Sequence, residues 1–546
     1  MKRKAVAAVL TAVMVASMFT GWGSDNGSSS AKSASAASAA SAANDTVDED
    51  GKVNGIMYQE GLPLVDEGDY TFSIFCDDSS ESGEFIMLDE FKKQTNVDVD
   101  LKIYPYETAT ERLNLDLNSG DYADVIGGWT LSDNAILTYG VNQGVFIPLE
   151  DYFEKYCPNI SAILDLPGVR EKMTAPDGHI YTIPYVCADT TVGYSPYINT
   201  KWLENVGMSM PTTTDEFEAV LKAFKEQDAN GNGDASDEIP FSTDPNNKHI
   251  EAMAGYFGLP MNKLGIAIQD EKVVYGGVSN TYREFLSWFH KLYADGLVDV
   301  ELYTQDSSTW EGKGNQDLYG VSIAYGSNEF TGIPAAEERG DFDSMPVLNT
   351  DKDGIWLRDT EGFSVYRTQA VITNKAEHPE IICRWFDNAF ALENGIGCNR
   401  GPVGVIVNKE DDGYHAIDTT TLSEEDQEKY SWGNLWPQSL PKYLPVDFEF
   451  VEEHPMYDEK KATEEAYEAN LTKEIIPSYW IDLDKIDTFS DTNTAIKDFF
   501  EQQQAQFVCG ELDIDNDADW QAYVDGMYSL GLEDWVATQG IEEIAK

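Results

Sequence analysis

The stretch "FSIFCDDSSESGEFIMLDEFKKQTNVDVDLKIYPYETATERLNLDLNSGDYADVIGGW", residues 72–129, carries the pattern on which the fold turns. Phe72-Ser73-Ile74-Phe75 is a short apolar run, read as a buried strand. Phe85 to Thr95 follows with apolar residues at helical spacing. Val97, Val99, Leu101 and Ile103 then alternate with polar residues, the period of a second strand. A further helical pattern ends at Gly120, and Asp124-Val125-Ile126 reads as a third strand. Strands alternating with helices predict a parallel sheet. Ligands of such sheets sit beyond the carboxyl ends of the strands. Two stretches fall there: Asp77-Asp78-Ser79-Ser80-Glu81 after the first strand, and Gly127-Gly128-Trp129 after the third.

Downstream, residues 211–228 read as the clearest helix. Thr213 and Glu216 stand in capping-box spacing, and Phe217, Val220, Leu221 and Phe224 form one apolar face. A second helix carries Phe285, Trp288, Phe289 and Leu292 and stops near Gly296. A third carries Trp520, Tyr523, Val524 and Met527. These aromatic stripes are expected in the core. No internal repeat and no long linker interrupts residues 68–546, so the lobes must be intertwined or tightly joined.

"DANGNGDASDE", residues 228–238, is the strongest local motif. Asp228, Asn230 and Asn232 alternate, Gly233 permits a sharp turn, and Asp234 stands where a backbone carbonyl would serve. This is the first half of a calcium loop. Its twelfth position is Ile239, so Asp237 and Glu238 are expected to close the oxygen shell. The reading is a structural Ca²⁺ ion; a plain polar turn is the alternative. "DIDNDADW", residues 513–520, lacks the turn glycine and is explained by acidic charge at a helix N-terminus.

Upstream, Lys2-Arg3-Lys4 followed by the apolar run Ala5–Met18 reads as a secretory signal. The run is short of the roughly 20 residues of a membrane span. Phe19-Thr20-Gly21 resembles the approach to a lipid-anchoring cysteine, but Trp22 stands at that position and cannot be lipidated. An altered or lost anchor is the favoured reading, an ordinary signal cut near the Ser/Ala tract the other. Residues 24–46 are mostly Ser, Ala, Gly and Asn and read as a flexible tether.

With 97 acidic against 37 basic residues, the formal charge is −60. Nucleic acid and anionic lipid surfaces are therefore unfavourable partners. A neutral sugar feels no net repulsion. The six cysteines show no CxxC and no zinc spacing; whether they pair is left open. No nucleophile elbow, P-loop, zinc-protease helix or dinucleotide fingerprint occurs. A glycosidase carboxylate pair could be drawn almost anywhere among so many acids.

Taken together, several blocks resemble the extracellular solute-binding proteins of carbohydrate ABC transporters, family 1, and within them the lipoprotein-type branch of Gram-positive bacteria. The blocks are "LNSGDYADVI" (117–126), "VFIPLEDYFEKYCPNI" (145–160), "PDGHIYTIPY" (176–185), residues 199–242 including the calcium loop, "LYADGLVDVELY" (292–303) and residues 506–535. The loop is one residue longer than the commonest form before Asp237-Glu238. The resemblance implies a two-lobed α/β fold, the type II periplasmic-binding-protein-like arrangement, with parallel-sheet lobes and hinge crossings. The crossings are expected near Ile183–Tyr197 and Thr360–Thr373. The expected organisation is a signal at 1–21, a tether at 22–67, a first lobe of 68–188 plus 365–450, and a second of 189–364 plus 451–546.

The implied function is capture of an oligosaccharide in the interlobe cleft and delivery to membrane permease subunits, without bond chemistry. The chain is expected to be an exported monomer, held at the extracellular face of the cell membrane if anchored and otherwise secreted. Aromatic rings cover the apolar faces of sugars and polar groups pair with their hydroxyls. By strand order Trp129 is the foremost platform, with Asp78 and Glu81 as polar partners. Tyr185 lies at the first crossing; Trp310, Tyr325, Trp356, Arg400, Trp432 and Trp436 lie in Gly/Ser/Pro-rich regions. Two other classes compete: a secreted glycoside hydrolase or lyase, which would shorten polysaccharide, and a calcium-dependent scaffold, which would carry repeats. Lipid or peptide binding suits the aromatic loops less well.

Overall fold

In the computed structural model, residues 45–78, 84–245, 249–332, 341–451 and 455–545 are described. The expected signal at 1–21, Trp22, the Ser/Ala tract to residue 44, and Glu81 lie outside them.

The opening pattern folds as read. β1 (Tyr70–Asp77), α1 (Ile86–Thr95), β2 (Val97–Tyr104), α2 (Tyr106–Ser119) and β3 (Val125–Gly127) follow in order. β1 lies between β2 and β3 and is parallel to both. The helices stop where the backbone turns left-handed, α1 at Asn96 (φ 60°) and α2 at Gly120 (φ 77°).

The chain then crosses through β4 (Tyr185–Ala188) into a second sheet. That sheet is built from β5 (Ser195–Asn199), β6 (Ile239–Thr243), β7 (Tyr319–Ala324) and β8 (Phe342–Ser344), in the order β8-β5-β7-β6. β7 and β6 are parallel, while β5 runs antiparallel to both of its neighbours. α3 (Thr214–Glu226) and α4 (Asn280–Ala294) bury their aromatic stripes against it. The Thr213 hydroxyl caps α3 by accepting from Glu216 N–H at 3.2 Å. The expected capping box is not reciprocal: Glu216 turns to the N–H and hydroxyl of Thr212, both at 2.8 Å.

β9 (Phe363–Tyr366) returns antiparallel to β4, pairing Tyr366 with Tyr185. β10 (Ala370–Ile372) then adds antiparallel to β3 and completes the first sheet as β10-β3-β1-β2. α5 (Pro379–Ala389) covers this sheet, and α6 (Pro455–Tyr467), α7 (Ile486–Cys509) and α8 (Asp517–Ser529) return to the second lobe. One core gathers Phe72, Ile74, Phe91, Val125, Ile372, Trp385 and Trp436. The other gathers Phe217, Phe224, Phe241, Phe285, Val321, Phe507 and Trp520.

Two sequence expectations are corrected. Residues 45–67, assigned to the tether, are packed: Val53, Met57, Leu64 and Val65 are buried in the first core, because this stretch regains the apolar residues the Ser/Ala tract lacks. Trp480 and Ile481, assigned to the second lobe, pack beside Leu137 of the first. Arg367, just past β9, ties them there: it pairs with Asp133 at 2.5 Å, donates to the carbonyl of Tyr479 at 2.8 Å and stacks 4.1 Å from the Trp480 ring. All six cysteines are free thiols.

Candidate functional site

At the carboxyl edge of the first sheet, the buried Asp77 organises the loop after β3. Its carboxylate accepts from Trp129 N–H at 3.0 Å and Thr130 N–H at 2.6 Å. Burial raises the Asp77 carboxyl's pKa; the N–H bonds act in the opposite direction. Gly128 has φ 130°, and a Cβ there would lie 2.2 Å from Asp77 Oδ1, so glycine is required. The loop holds out Trp129, which is 46% exposed. Its ring meets Tyr366 edge-on at 5.3 Å and Tyr185 at 6.4 Å. Tyr185 and Tyr366 are paired across β4 and β9, with centroids 5.5 Å apart. Three rings from two structural units thus form one cluster beside the hinge.

Next to them opens a cavity of 560 Å³, lined by hinge residues and by the second lobe, including Asp189, Tyr194, His249, Tyr325, Asp359 and Tyr366. Tyr194 and His249 stack nearly parallel, 4.0 Å apart at 13°, and Tyr325 meets Tyr194 edge-on at 6.0 Å. His249 is held at φ 46°, ψ 17°, a left-handed conformation uncommon for a residue with a Cβ. Such strain persists only where its surroundings enforce it and concentrates at functional sites.

Asp189 is the polar hub. It accepts from Thr190 N–H at 2.8 Å, Tyr325 hydroxyl at 3.3 Å and Ser364 hydroxyl at 2.5 Å, joining both crossings to the second lobe. Asp359 accepts from Gly193 N–H at 2.7 Å. Lys460 of α6 lies 4.0 Å from the Tyr325 ring and donates to the carbonyls of Gly193 and Tyr325. Burial dominates the titration of this group. It raises Glu329 to about 7, and lowers His249 to about 4 and Lys460 to about 8. The described lining offers aromatic faces for stacking and polar side chains for pairing with hydroxyls.

The expected binding residues divide. Trp129, Tyr185 and Tyr325 lie in this region, and Trp356, only 2% exposed, presents one edge to the cavity while packing on Tyr256 and Tyr467. Asp78 is buried and accepts from Gln438 N–H at 2.7 Å. Trp432 is 57% exposed, with Lys442 Nζ 5.4 Å from its ring; Lys442 in turn donates to Gln438 Oε1 at 2.6 Å. Arg400 lies 5.8 Å from the Phe450 ring, at the end of a helix over Leu392–Arg400.

Trp310 and Trp436 are corrected to core side chains. Trp310 packs on Phe330 and donates to the Ser322 hydroxyl, and Trp436 stacks on Trp385. Flanking polar residues had made these buried rings look like loop positions. Sequence reading missed Tyr194, His249, Tyr366, Asp189 and Asp359. Asp189 and Tyr194 fall inside the crossing expected at Ile183–Tyr197, so their place was available; the His249 stack has no local signature.

The acidic loop joins α3 to β6. Asp228 accepts from Gly233 N–H at 3.0 Å, Asn230 from Asn232 N–H at 2.9 Å, and Asn232 from Asp234 N–H at 2.8 Å. Asp237 accepts from the side-chain amides of Asn230 at 3.2 Å and Asn232 at 2.7 Å. Asp228 Oδ1 and Glu238 Oε2 are buried with no hydrogen-bond partner. Orphaned carboxylate oxygens are costly to bury, and an oxygen-seeking divalent cation would satisfy both. The residues fit Ca²⁺.

Two α/β lobes, a paired hinge and a ring-lined cavity at their meeting define a two-lobed binding protein of the type II periplasmic-binding-protein-like fold. The chain belongs to the bacterial extracellular solute-binding protein family, whose model matches residues 78–395. It is 33% identical over 335 residues to the fructooligosaccharide ABC transporter substrate-binding protein FusA of Streptococcus pneumoniae serotype 4 (strain ATCC BAA-334 / TIGR4). That match covers 59% of this chain and 61% of the relative, less than two thirds of its length. Two solved S. pneumoniae structures are similar, each covering 86% of this chain and 98% of theirs. FusA in complex with kestose has a TM-score of 0.75 at 26% identity, and a FusA EF-hand mutant in complex with fructo-nystose has 0.74 at 27%.

Proposed function

We propose that this protein is the extracellular substrate-binding component of an ABC importer, capturing an oligosaccharide between its lobes and passing it unchanged to membrane permease subunits. The observation that carries this reading is the meeting of two aromatic groups at the hinge. Trp129, Tyr185 and Tyr366 form one cluster and the Tyr194–His249 stack with Tyr325 another, and Tyr366, Tyr194, His249 and Tyr325 line the same cavity. Sugar rings present C–H faces to such walls, while Asp189 accepts from hydroxyls at the turn of the hinge. Hinge closure then brings the walls together and forms the shape a permease reads.

FusA's name and its complexes make short fructooligosaccharides the first sugars to try. Ca²⁺ would be held by Asp228, Asn230, Asn232, Asp237 and Glu238, with the Asp234 carbonyl. It would tie the end of α3 to the start of β6 as a structural ion. The existence of a FusA EF-hand mutant supports attention to this loop. The chain is read as an exported monomer, with Trp22 at the position where an anchoring cysteine would stand.

A thermal-shift screen over neutral and acidic oligosaccharides, followed by calorimetry on each hit, tests the reading. Saturable one-site binding with the sugar recovered intact is expected. No stabilisation by any sugar, or a sugar recovered shortened, would overturn it.

A further inference from the structure

The charge around the cavity narrows the ligand class. Resting on the oligosaccharide reading above, we infer that this site selects uncharged sugar chains and excludes uronides through the carboxylates of Asp189 and Asp359.

Both carboxylates line the cavity. Asp189 is fixed by Thr190, Tyr325 and Ser364, and Asp359 by Gly193, so neither can swing away without losing hydrogen bonds. Among the described residues lining the cavity, none is arginine, the side chain that grips a carboxylate with two parallel bonds. Three basic groups stand nearby. Lys460 directs its ammonium to the carbonyls of Gly193 and Tyr325. Lys263 lines the cavity as well and is exposed to water, one cation against two carboxylates. Burial, with the positive charge of Lys263 nearby, holds His249 neutral, so the ring stacked on Tyr194 is itself an uncharged flat face.

A uronide in this cavity would bring its carboxylate into a lining that holds the carboxylates of Asp189 and Asp359. Like-charge juxtaposition in a partly dehydrated site is strongly unfavourable. The formal charge of −60 adds long-range repulsion, which salt screens beyond about 8 Å at physiological strength. A neutral chain of the same shape meets the carboxylates as hydroxyl acceptors instead.

Calorimetry on the wild-type protein in 0.15 M salt, with kestose, trigalacturonic acid and its trimethyl ester, separates charge from shape. The expected result is an ester that binds at least 100-fold more tightly than the acid. Asp189→Asn and Asp359→Asn should each narrow that gap at least 5-fold. Acid and ester binding equally tightly overturns the proposal. So does an ester as weak as the acid, since shape would then be the filter. Both results leave the capture role standing if kestose binds. Only failure of kestose and of every other sugar in the screen removes the role as well. The wild-type comparison stands even if a variant does not fold.

Discussion

Trp129→Ala removes the most exposed ring at the hinge, and the structure sets the size of the effect. A tryptophan side chain offers roughly 150–250 Å², and Trp129 is 46% exposed, so about 100 Å² is open to a ligand. A sugar face covering about half of that, and losing as much of its own surface, removes about 100 Å² of apolar area from water. At about 25 cal/mol per Å² this is worth about 2.5 kcal/mol, or about 70-fold in Kd. The loop itself should survive, because Asp77 holds it through the N–H groups of residues 129 and 130, which alanine keeps. The assay is calorimetry with kestose, or with the best sugar of the screen, at unchanged melting temperature. Trp129→Phe should recover part of the loss. An alanine variant within threefold of wild type would refute the stacking argument.

Other perturbations have equally definite outcomes. Gly128→Ala forces a Cβ to 2.2 Å from Asp77 Oδ1 at φ 130°; it should weaken sugar binding more than tenfold and destabilise by about 1–3 kcal/mol, read by calorimetry and thermal melting. Chelating calcium should lower the melting temperature by several degrees, and Asp228→Ala should abolish that response; a melt indifferent to chelator would mean that no ion is held. Burial raises Glu329 from 4.5 to about 7. The folded state therefore holds this proton where the unfolded chain has lost it. Stability contributed here is highest below about pH 4.5, falls as pH rises toward 7, and is flat above. Glu329→Gln should raise stability at pH 8, by up to about 3 kcal/mol, with no gain at pH 4; melting curves at the two pH values check the sign.

The first sheet was legible in residues 72–129 because each element there is regular: alternation in β2, a helical face in α1, a glycine stop after α2. Trp129 followed from strand order alone. The packed segment 45–67 was hidden because polar and glycine residues separate Val53, Met57, Leu64 and Val65, and the core they join includes Ile381, Ile382 and Trp385 of α5, over 300 residues away. Trp310 and Trp436 were misread for a related reason: burial is decided by what folds over a residue, and flanking Gly or Pro says little about that. The Tyr194–His249 stack joins residues 55 apart through a strained backbone, which no local period encodes. The acidic loop was readable as a motif because all its candidate oxygen donors lie within 11 consecutive residues.

The account stands or falls on reversible capture at the hinge. Titrating the wild-type protein with kestose, followed by denaturation and chromatography of the released sugar, tests this directly. One site per chain and a trisaccharide returned whole are the results that capture between the aromatic clusters predicts. A titration without saturation for kestose and every sugar in the screen, or fragments in place of the trisaccharide, would contradict it.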